Sequence, residues 1–286
     1  MARILGLLVF IIVVTGCSSP RETAAPTTTG LPVIRATEIA TSTIAPSATP
    51  QSTPTTASSA EPPREVCSPL AGYTLQELSG IIVNPYHPPR LGSDDLHQGV
   101  DLAQVDPVNG IALTGMPVQA VLAGKIAGQA ADRFPYGNMI IIETTLDAAT
   151  AAFNPALILP TPLPDRLPPG ALTCPELNSS PAEAGAPRSL YVLYGHMQDL
   201  PAVSVGEPVT CGQVLGSIGE SGNALNPHLH AEVRVGPPGQ TFPSMAHYDP
   251  SADYTEMAAY CLWRVSGVYQ TIDPGCLWGS CATPYP

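Results

Sequence analysis

Two histidines separated by one leucine stand near the end of the chain, in the stretch PHLHAEVRV at residues 227–235. Alternate side chains of a β-strand point to opposite faces of the sheet. In this stretch one face carries only apolar residues, and we expect that face to join a hydrophobic core. The opposite face is available for chemistry or for solvent. Its side chains are His228, His230, Glu232 and Arg234.

The spacing of the two histidines suits a site in which they have different tasks. In a strand their Cα atoms would lie roughly 7 Å apart on the same face. One ring could therefore bind a metal ion while the other stands beside it. Glu232 shares this face, and we expect it either to orient an imidazole from behind the metal or to be a solvated strand carboxylate.

Two further groups of polar residues could contribute to the same chemistry. HQGVD runs from His97 to Asp101, and YGH ends at His196. Imidazole and carboxylate are the ligands of catalytic zinc, which takes three protein ligands and keeps a fourth position for water. In a straight strand His97 and Asp101 would lie about 13 Å apart, too far for one ion with bonds of ~2 Å. The chain must bend between them, and Gly99 is the residue expected to permit the bend.

Taken in their order, these motifs resemble the LytM/lysostaphin-type zinc metallopeptidases, bacterial enzymes that cut peptide bonds in peptidoglycan. The resemblance runs from about residue 80 to about residue 250, interrupted by an insertion. One HxxxD or HxH motif would be a weak signal, whereas all three motifs in family order are specific. An aromatic-glycine-x-arginine element that relatives often have is not recognisable in IIVNPYHPPRLG. The matching segments are HQGVDLA, PVQAVLAGKIAG, YGNMIII, LYGHM, VGEPVTCGQVLGSIGESG and PHLHAEVR.

The resemblance implies one zinc ion per chain and a role for each motif residue. His97 and Asp101, from HxxxD, and His230, from HxH, would be the three ligands. His196 and His228 would be a catalytic pair beside the metal. This pair would accept a proton and return it during hydrolysis.

Two functions remain open, and they differ in whether the metal site cleaves a substrate. The first is a zinc metalloendopeptidase that hydrolyses peptidoglycan peptides. The second is a non-catalytic wall-binding module or an activator of other cell-wall hydrolases, since some relatives keep the fold and lose the zinc residues. The ligand set is intact here, which favours the enzyme. A tethered lectin or adhesin would leave the order of the histidines unexplained.

The elements that must position these residues look like strands. After Cys67 the chain is a series of short apolar runs, rich in Val and Ile and bounded by turn residues, a pattern typical of strands rather than helices. We therefore expect an all-β domain, and the resemblance implies an antiparallel β-sheet core of the duplicated hybrid motif, a LytM-like β-sandwich. The runs are MPVQAVLAGKIAG, YGNMIIIET, SLYVLYGHM, EPVTCGQVLGSIG and HLHAEVRV.

Composition sets the expected boundaries of the metallopeptidase domain at residues 67–250. Residues 144–189 are rich in proline and predict a long insertion between neighbouring strands, which would either wall or cap the cleft. Residues 251–286 form a C-terminal extension. Its start, SADYTEMAAYCLWRV, predicts a helix capped by Ser251 or Asp253, and its end predicts a coil compatible with disulfides.

The cysteine count favours disulfide bonds over zinc ligation. Six cysteines remain when Cys17 is set aside, and an even number in an exported chain predicts up to three bridges, with free buried thiols as the alternative. No CxxC pair is present, and fifteen complete pairings are open. The six are Cys67, Cys174, Cys211, Cys261, Cys276 and Cys281.

The N-terminus predicts export and lipid anchoring. Residues 1–16 contain an apolar run shorter than the roughly 20 residues of a membrane-spanning helix, as in a signal peptide. The VTGC that ends at Cys17 resembles a bacterial lipobox, so the mature chain would start at a lipidated Cys17; a plain secretory signal is the alternative. Residues 17–66, rich in Pro, Thr and Ser, predict a disordered linker.

Charge restricts the expected partners. The formal net charge is −12, and the sequence has no basic stripe for a phosphate backbone, so nucleic acid is not expected as a partner. The expected partners are a peptidoglycan peptide and, through the lipid, the bacterial membrane on its extracytoplasmic side. We expect the protein to be a monomer.

Overall fold

The computed structural model describes residues 65–90, 92–95, 97–146, 172, 174 and 186–279. The predicted signal peptide, Cys17, the linker up to residue 64, most of the insertion and Cys281 lie outside these ranges. Within these ranges, no helix is both long enough and apolar enough to cross a membrane.

Strands dominate the described part of the chain, as expected. Helix α1 spans Tyr254–Arg264, and short 3₁₀ helices span Leu78–Ile81 and Pro274–Cys276. The strands are β1 (Ile82–Asn84), β2 (Val100–Leu102), β3 (Pro117–Gln119), β4 (Gly124–Arg133), β5 (Gly137–Leu146), β6 (Arg188–Met197), β7 (Pro208–Val209), β8 (Val214–Ser217), β9 (Leu229–Gly236) and β10 (Gln270–Ile272).

Eight strands form one main sheet in the order β1-β2-β9-β6-β5-β4-β7, with β10 paired to β9. Strands β3 and β8 form a second, two-stranded sheet. The pairings between these named strands are antiparallel. The predicted all-β, antiparallel core is therefore confirmed, and the order places β2, β9 and β6 side by side.

The main sheet is covered on both faces. One face packs with the small sheet, where Val118 of β3 and Leu215 of β8 join a core that includes Val233 of β9. The other face packs against α1, where Trp263 joins a second core with Tyr191 of β6. Because side chains alternate along a strand, the long strands β4, β5 and β6 contribute to both cores. Every residue of β9 is buried.

Asp253, one of the two caps predicted from the sequence, caps the N-terminus of helix α1, and Ser251 does not. The Asp253 carboxylate accepts a hydrogen bond from the Glu256 N–H at 2.9 Å, and the Glu256 carboxylate accepts one from the Asp253 N–H at 3.1 Å. This reciprocal capping box satisfies two backbone donors that a helix start leaves without partners. Glu256 also pairs with Arg133 of β4 at 2.7 Å, which fixes the first turn to the sheet.

Disulfide bonds form as expected among the described cysteines. Cys67 pairs with Cys211, and Cys174 pairs with Cys261. Cys276 is also disulfide-bonded. The Cys174–Cys261 bond joins the insertion to α1. Strand β5 ends at Leu146 and β6 begins at Arg188.

Candidate functional site: a metal centre in a cleft

Adjacent strands bring the distant motifs together. Asp101 of β2 lies opposite His230 of β9 in the strand register. On the other side of β9, Gly195 of β6 lies opposite His230, which places His196 beside it. Residues far apart in sequence therefore meet because β2, β9 and β6 are consecutive in the sheet.

The three predicted ligands converge on one point. His97 Nε2 lies 2.9 Å from Asp101 Oδ1, and His230 Nδ1 lies 2.8 Å from the same oxygen. The two ring nitrogens are 3.1 Å apart. Among the described residues these three form a group that could hold a metal ion.

Hydrogen bonds behind the rings determine which nitrogens carry protons. His97 Nδ1 lies 2.9 Å from the carbonyl oxygen of Pro85, which can only accept, so this nitrogen donates. His230 Nε2 lies 3.1 Å from Glu232 Oε1, and an ionised carboxylate also only accepts. In the neutral rings the opposite nitrogens therefore carry lone pairs, and these are the two that face Asp101.

This arrangement fits a zinc ion. When both rings are neutral, three lone-pair atoms face one another with no donor hydrogen between them, so a cation, either a proton or a metal ion, would offset their repulsion. A tetrahedral zinc ion with bonds of ~2.0–2.1 Å separates its ligand atoms by roughly 3.3 Å, slightly more than the 2.8–3.1 Å between these atoms. Two imidazoles and one carboxylate are a ligand set that zinc accepts.

The titration behaviour of the ligands shows the same preference for positive charge. Burial opposes ionisation of His230, but hydrogen bonds to Asp101 and Glu232 raise its pKa to about 9. Burial likewise opposes ionisation of Asp101, yet hydrogen bonds from His230 and His97 hold its pKa far below the usual range. The acceptors that favour a proton on His230 would favour a metal ion in the same place.

The predicted catalytic pair lies beside this group. The rings of His196 and His228 have their centroids 4.7 Å apart. His196 Nδ1 donates to the carbonyl oxygen of Ser221 at 2.8 Å, and His228 Nδ1 donates to that of Asn226 at 2.7 Å. Each neutral ring thus keeps its proton on Nδ1 and a lone pair on Nε2. The His228 Nε2 atom is 3.6 Å from Asp101 Oδ1, at the edge of the metal group.

His196 is held in an unusual backbone conformation and in the neutral state. Its φ of 58° lies in the left-handed region, which few residues with a side chain adopt. Burial, together with repulsion from His230 and His228, lowers its pKa to about 3. The ring is therefore neutral at physiological pH, with its Nε2 lone pair available to a hydrogen-bond donor.

Glu232 lies directly behind the metal group. Its side chain is 0% exposed, which excludes the expectation of a solvated strand carboxylate. Burial raises its pKa, but Arg234 and the hydrogen bond from His230 outweigh burial and hold the pKa well below the usual value. The carboxylate therefore stays ionised and accepts from His230.

Gly99 is needed for a different reason from the one expected. It does not adopt the left-handed conformation that favours glycine. Instead β2 approaches β9 so closely that a Cβ atom at this position would lie 2.5 Å from the carbonyl oxygen of Ala231 and 2.9 Å from the His230 ring. Only a residue without a side chain fits at this position beside His230.

Two polar residues of the site were missed by the sequence reasoning. Asn84 donates through Nδ2 to Asp101 Oδ2 at 3.1 Å and so holds the ligand carboxylate from its other oxygen. Tyr136 lines the cleft, and its hydroxyl donates to Glu232 Oε1 at 2.7 Å. The position of Tyr136 in PYGN, directly before β5, was an available signal; Asn84 has no such signal, because its role depends on the pairing of β1 with β2.

The metal group opens into a cleft of about 790 Å³. The predicted ligands and the predicted catalytic pair all lie on its wall. One part of the wall consists of small or apolar residues, and another part carries Asp94 and Arg264, which pair with each other at 2.5 Å. The apolar part includes Val83, Ala103, Val105, Ala112 and Leu225.

Comparison with solved structures finds several bacterial peptidases. The catalytic domain of a prophage-encoded M23 protein, EnpA, from Enterococcus faecalis is 20% identical, with 56% of this chain and 84% of that chain covered and a TM-score of 0.32. The catalytic domain of lysostaphin from Staphylococcus simulans is 19% identical, with 73% and 99% covered and a TM-score of 0.35. A zinc-containing peptidase from Vibrio cholerae is 22% identical, with 53% and 32% covered and a TM-score of 0.30.

Comparison of the sequence with curated proteins finds no match. A family model does match. The matched segment contains His196, His228 and His230, whereas His97 and Asp101 lie upstream of it and join the site through the fold. Residues 184–242 of this chain match Peptidase family M23, and this confirms over that segment the resemblance predicted from the motifs.

Proposed function

We propose that this domain is a zinc-dependent metalloendopeptidase that hydrolyses peptide bonds in peptidoglycan. The observation that carries the proposal is the convergence of three acceptor atoms within 3.1 Å of one another, with two further imidazoles beside them in one cleft. The match of residues 184–242 to Peptidase family M23 supports it.

His97, Asp101 and His230 would hold the zinc ion. When bound, zinc supplies a Lewis acid that makes water nucleophilic near neutral pH. Asp101 contributes one negative charge, which leaves the site with a net positive charge toward the substrate. The hydrogen bonds at Pro85 and Glu232 keep both ligand rings in the orientation that binding requires.

His196 and His228 would move the protons of hydrolysis. Each presents an unprotonated Nε2, because its Nδ1 proton is held by a backbone carbonyl. One ring can take the proton that water loses as it attacks the peptide carbonyl, and that proton can then pass to the leaving amine.

The cleft suits an extended peptide without strong charge. Among the described residues of its wall, the charged side chains outside the metal group are Asp94 and Arg264, which neutralise each other. The exposed apolar side chains of Val83, Val105 and Leu225 offer contact to small or apolar substrate groups.

We also propose that the domain acts outside the cytoplasm, held to the bacterial membrane by a lipid on Cys17. The support is the sequence of residues 1–17 and the location of peptidoglycan outside the cytoplasmic membrane. The disulfide bonds of the domain agree with export, since such bonds persist in oxidising compartments.

The decisive experiment is digestion of purified peptidoglycan by the zinc-loaded domain, followed by labelling of new amine termini and mass analysis of the fragments. We expect new termini from the wild type and none after addition of a chelator. Asp101→Ala should lose most of its zinc, because it removes the only anionic ligand. His228→Ala should keep zinc and lose most activity, on the order of 100-fold or more, as general acid–base catalysis contributes that much.

Two outcomes would contradict the proposal. Full zinc content in Asp101→Ala would remove this residue from the ligand set. The enzymatic interpretation would also be wrong if a protein shown to contain zinc releases no new termini from any peptidoglycan tested. The domain would then be a wall-binding or activating module, and a sedimentation assay with insoluble peptidoglycan would detect its binding.

A further inference from the structure

We propose that helix α1 of the C-terminal extension is part of the metal site, and that Arg264 positions the ligand His230 through Glu232. The inference rests on the metal site of the proposed function. It assigns a role to residues downstream of the segment that matches the peptidase family.

Glu232 is the point where α1 meets the site. Its Oε1 atom accepts from His230 Nε2 at 3.1 Å, from the Tyr136 hydroxyl at 2.7 Å and from Arg264 Nη1 at 3.1 Å. Its Oε2 atom accepts from Arg234 Nη2 at 2.7 Å and from Trp263 Nε1 at 2.9 Å. Two of these five donor residues belong to the last turns of α1.

The position of the Glu232 carboxylate decides how His230 is oriented toward the metal. With its Nε2–H donating to Glu232, the ring presents Nδ1, the atom that faces Asp101. Arg264 and Arg234 hold the fully buried carboxylate in this place by ion pairs and hydrogen bonds. Without Arg264, the carboxylate loses both a charge partner and a donor on the oxygen that His230 uses.

Arg264 also reaches the segment that carries the first ligand. Its Nε atom donates to Asp94 Oδ1 at 2.5 Å, and Asp94 lies three residues before His97. Arg234 reaches the residue after His97, donating through Nη2 to Gln98 Oε1 at 2.6 Å. The two arginines thus connect Glu232 with both sides of the first ligand.

Burial makes this connection effective. The side chains of Arg264 and Asp94 are 13% and 12% exposed, and that of Glu232 is 0% exposed. Ion pairs screened from water in this way lose much more when one partner is removed than surface pairs do. The effect of removing Arg264 should therefore extend to the ligands that the network holds.

The test is the zinc affinity of Arg264→Gln, measured by competition with a chromogenic chelator, with the cobalt(II) absorption spectrum as a second readout of ligand geometry. Loss of a group that orients ligands weakens metal binding by about 10- to 100-fold, and we expect an effect in this range together with an altered cobalt spectrum. Arg264→Lys, which keeps the charge and loses the planar fork, should recover part of the affinity.

Arg133→Gln is the matched control. Arg133 holds the same helix to the sheet through Glu256 and touches neither Glu232 nor a ligand. It should lower thermal stability and leave zinc affinity within about threefold of the wild type, well below the effect of losing a ligand-orienting group. This comparison separates positioning of the ligands from simple attachment of the helix.

The inference is wrong if folded Arg264→Gln has the zinc affinity and the cobalt spectrum of the wild type. It is also wrong if Arg264→Gln and Arg133→Gln lose zinc affinity to the same extent. If Arg264→Gln does not fold, the affinity of Arg264→Lys decides in the same way. If the wild type binds no zinc, the proposed function fails, and that result is distinct from failure of this inference.

Discussion

At the scale of residues, the four histidines of the site share one arrangement. Each ring has one nitrogen next to an oxygen acceptor behind it: a backbone carbonyl for His97, His196 and His228, and the Glu232 carboxylate for His230. The other nitrogen of each neutral ring then faces the site with a lone pair. The acceptor behind each ring, a backbone carbonyl or a carboxylate, thus determines which nitrogen faces the site, and the sequence motif alone does not reveal this.

Gly99→Ala should damage the metal site through sterics alone. The new methyl group would lie 2.5 Å from the Ala231 carbonyl oxygen and 2.9 Å from the His230 ring. Strand β2 must move away from β9, which separates Asp101 from His230. We expect a loss of roughly 1–3 kcal/mol in unfolding free energy, as for overpacked cores, measured by urea denaturation, and a clear loss of bound zinc measured by elemental analysis.

Gly80→Ala is the control for that substitution. A Cβ atom at Gly80 would have no neighbour within 4 Å, and Gly80 does not have a positive φ. Its zinc content should equal that of the wild type. Equal zinc content in Gly99→Ala would show that the sheet accommodates the methyl group and that the close approach is not required.

At the scale of elements, the sequence predicted several strands but not which strands lie next to each other in the sheet. Short apolar runs rich in Val and Ile were sufficient to predict β3, β5, β6 and β9, because strand formation leaves a local pattern. The adjacency of β2, β9 and β6 depends on pairings between distant segments, which leave no local signal. For this reason Asn84, which reaches Asp101 only through the β1–β2 pairing, could not be found from the sequence.

Helix α1 was predictable because its start has a local signature. Asp253 and Glu256 form a capping box, and replacing such a cap by alanine usually costs about 1 kcal/mol. We expect Asp253→Ala to lower the unfolding free energy by about this amount, measured by urea denaturation with tryptophan fluorescence, since Trp263 lies on the helix. The substitution removes an acceptor from the Glu256 N–H and leaves the Glu256–Arg133 pair in place.

Asp253→Ser is the appropriate comparison, because a serine hydroxyl can also accept from the Glu256 N–H. It should retain most of the stability that alanine loses. If serine and alanine destabilise the domain equally, the cap contributes little, and the contacts of Glu256 with Arg133 and Ser244 hold the helix start without it.

At the scale of the whole molecule, the C-terminal extension completes the domain. The sequence predicted that one face of β9 would be polar and left open whether chemistry or solvent covers it. The structure covers that face with α1, so Glu232 and Arg234 are buried by residues downstream of the motifs. The covering of this face depends on tertiary contacts that the sequence pattern does not reveal. The same is true of the disulfide pairings Cys67–Cys211 and Cys174–Cys261, two among many that the cysteine count allowed.

The same scale includes the proposed attachment of the domain to a membrane, which rests on residues 1–17 of the sequence. We expect the full-length protein, expressed in a bacterium, to fractionate with membranes and to require detergent for release, because the acyl chains proposed on Cys17 would together anchor it firmly. Cys17→Ser removes the sulfur atom that lipidation would require, so the variant should not fractionate with membranes, whereas Ser18→Ala, at the next position, should behave as the wild type. Mass analysis of the N-terminal peptide would show the acyl groups directly.

A wild-type protein that is soluble and carries no acyl group would support a plain secretory signal, and the domain would then reach the cell wall as a free enzyme.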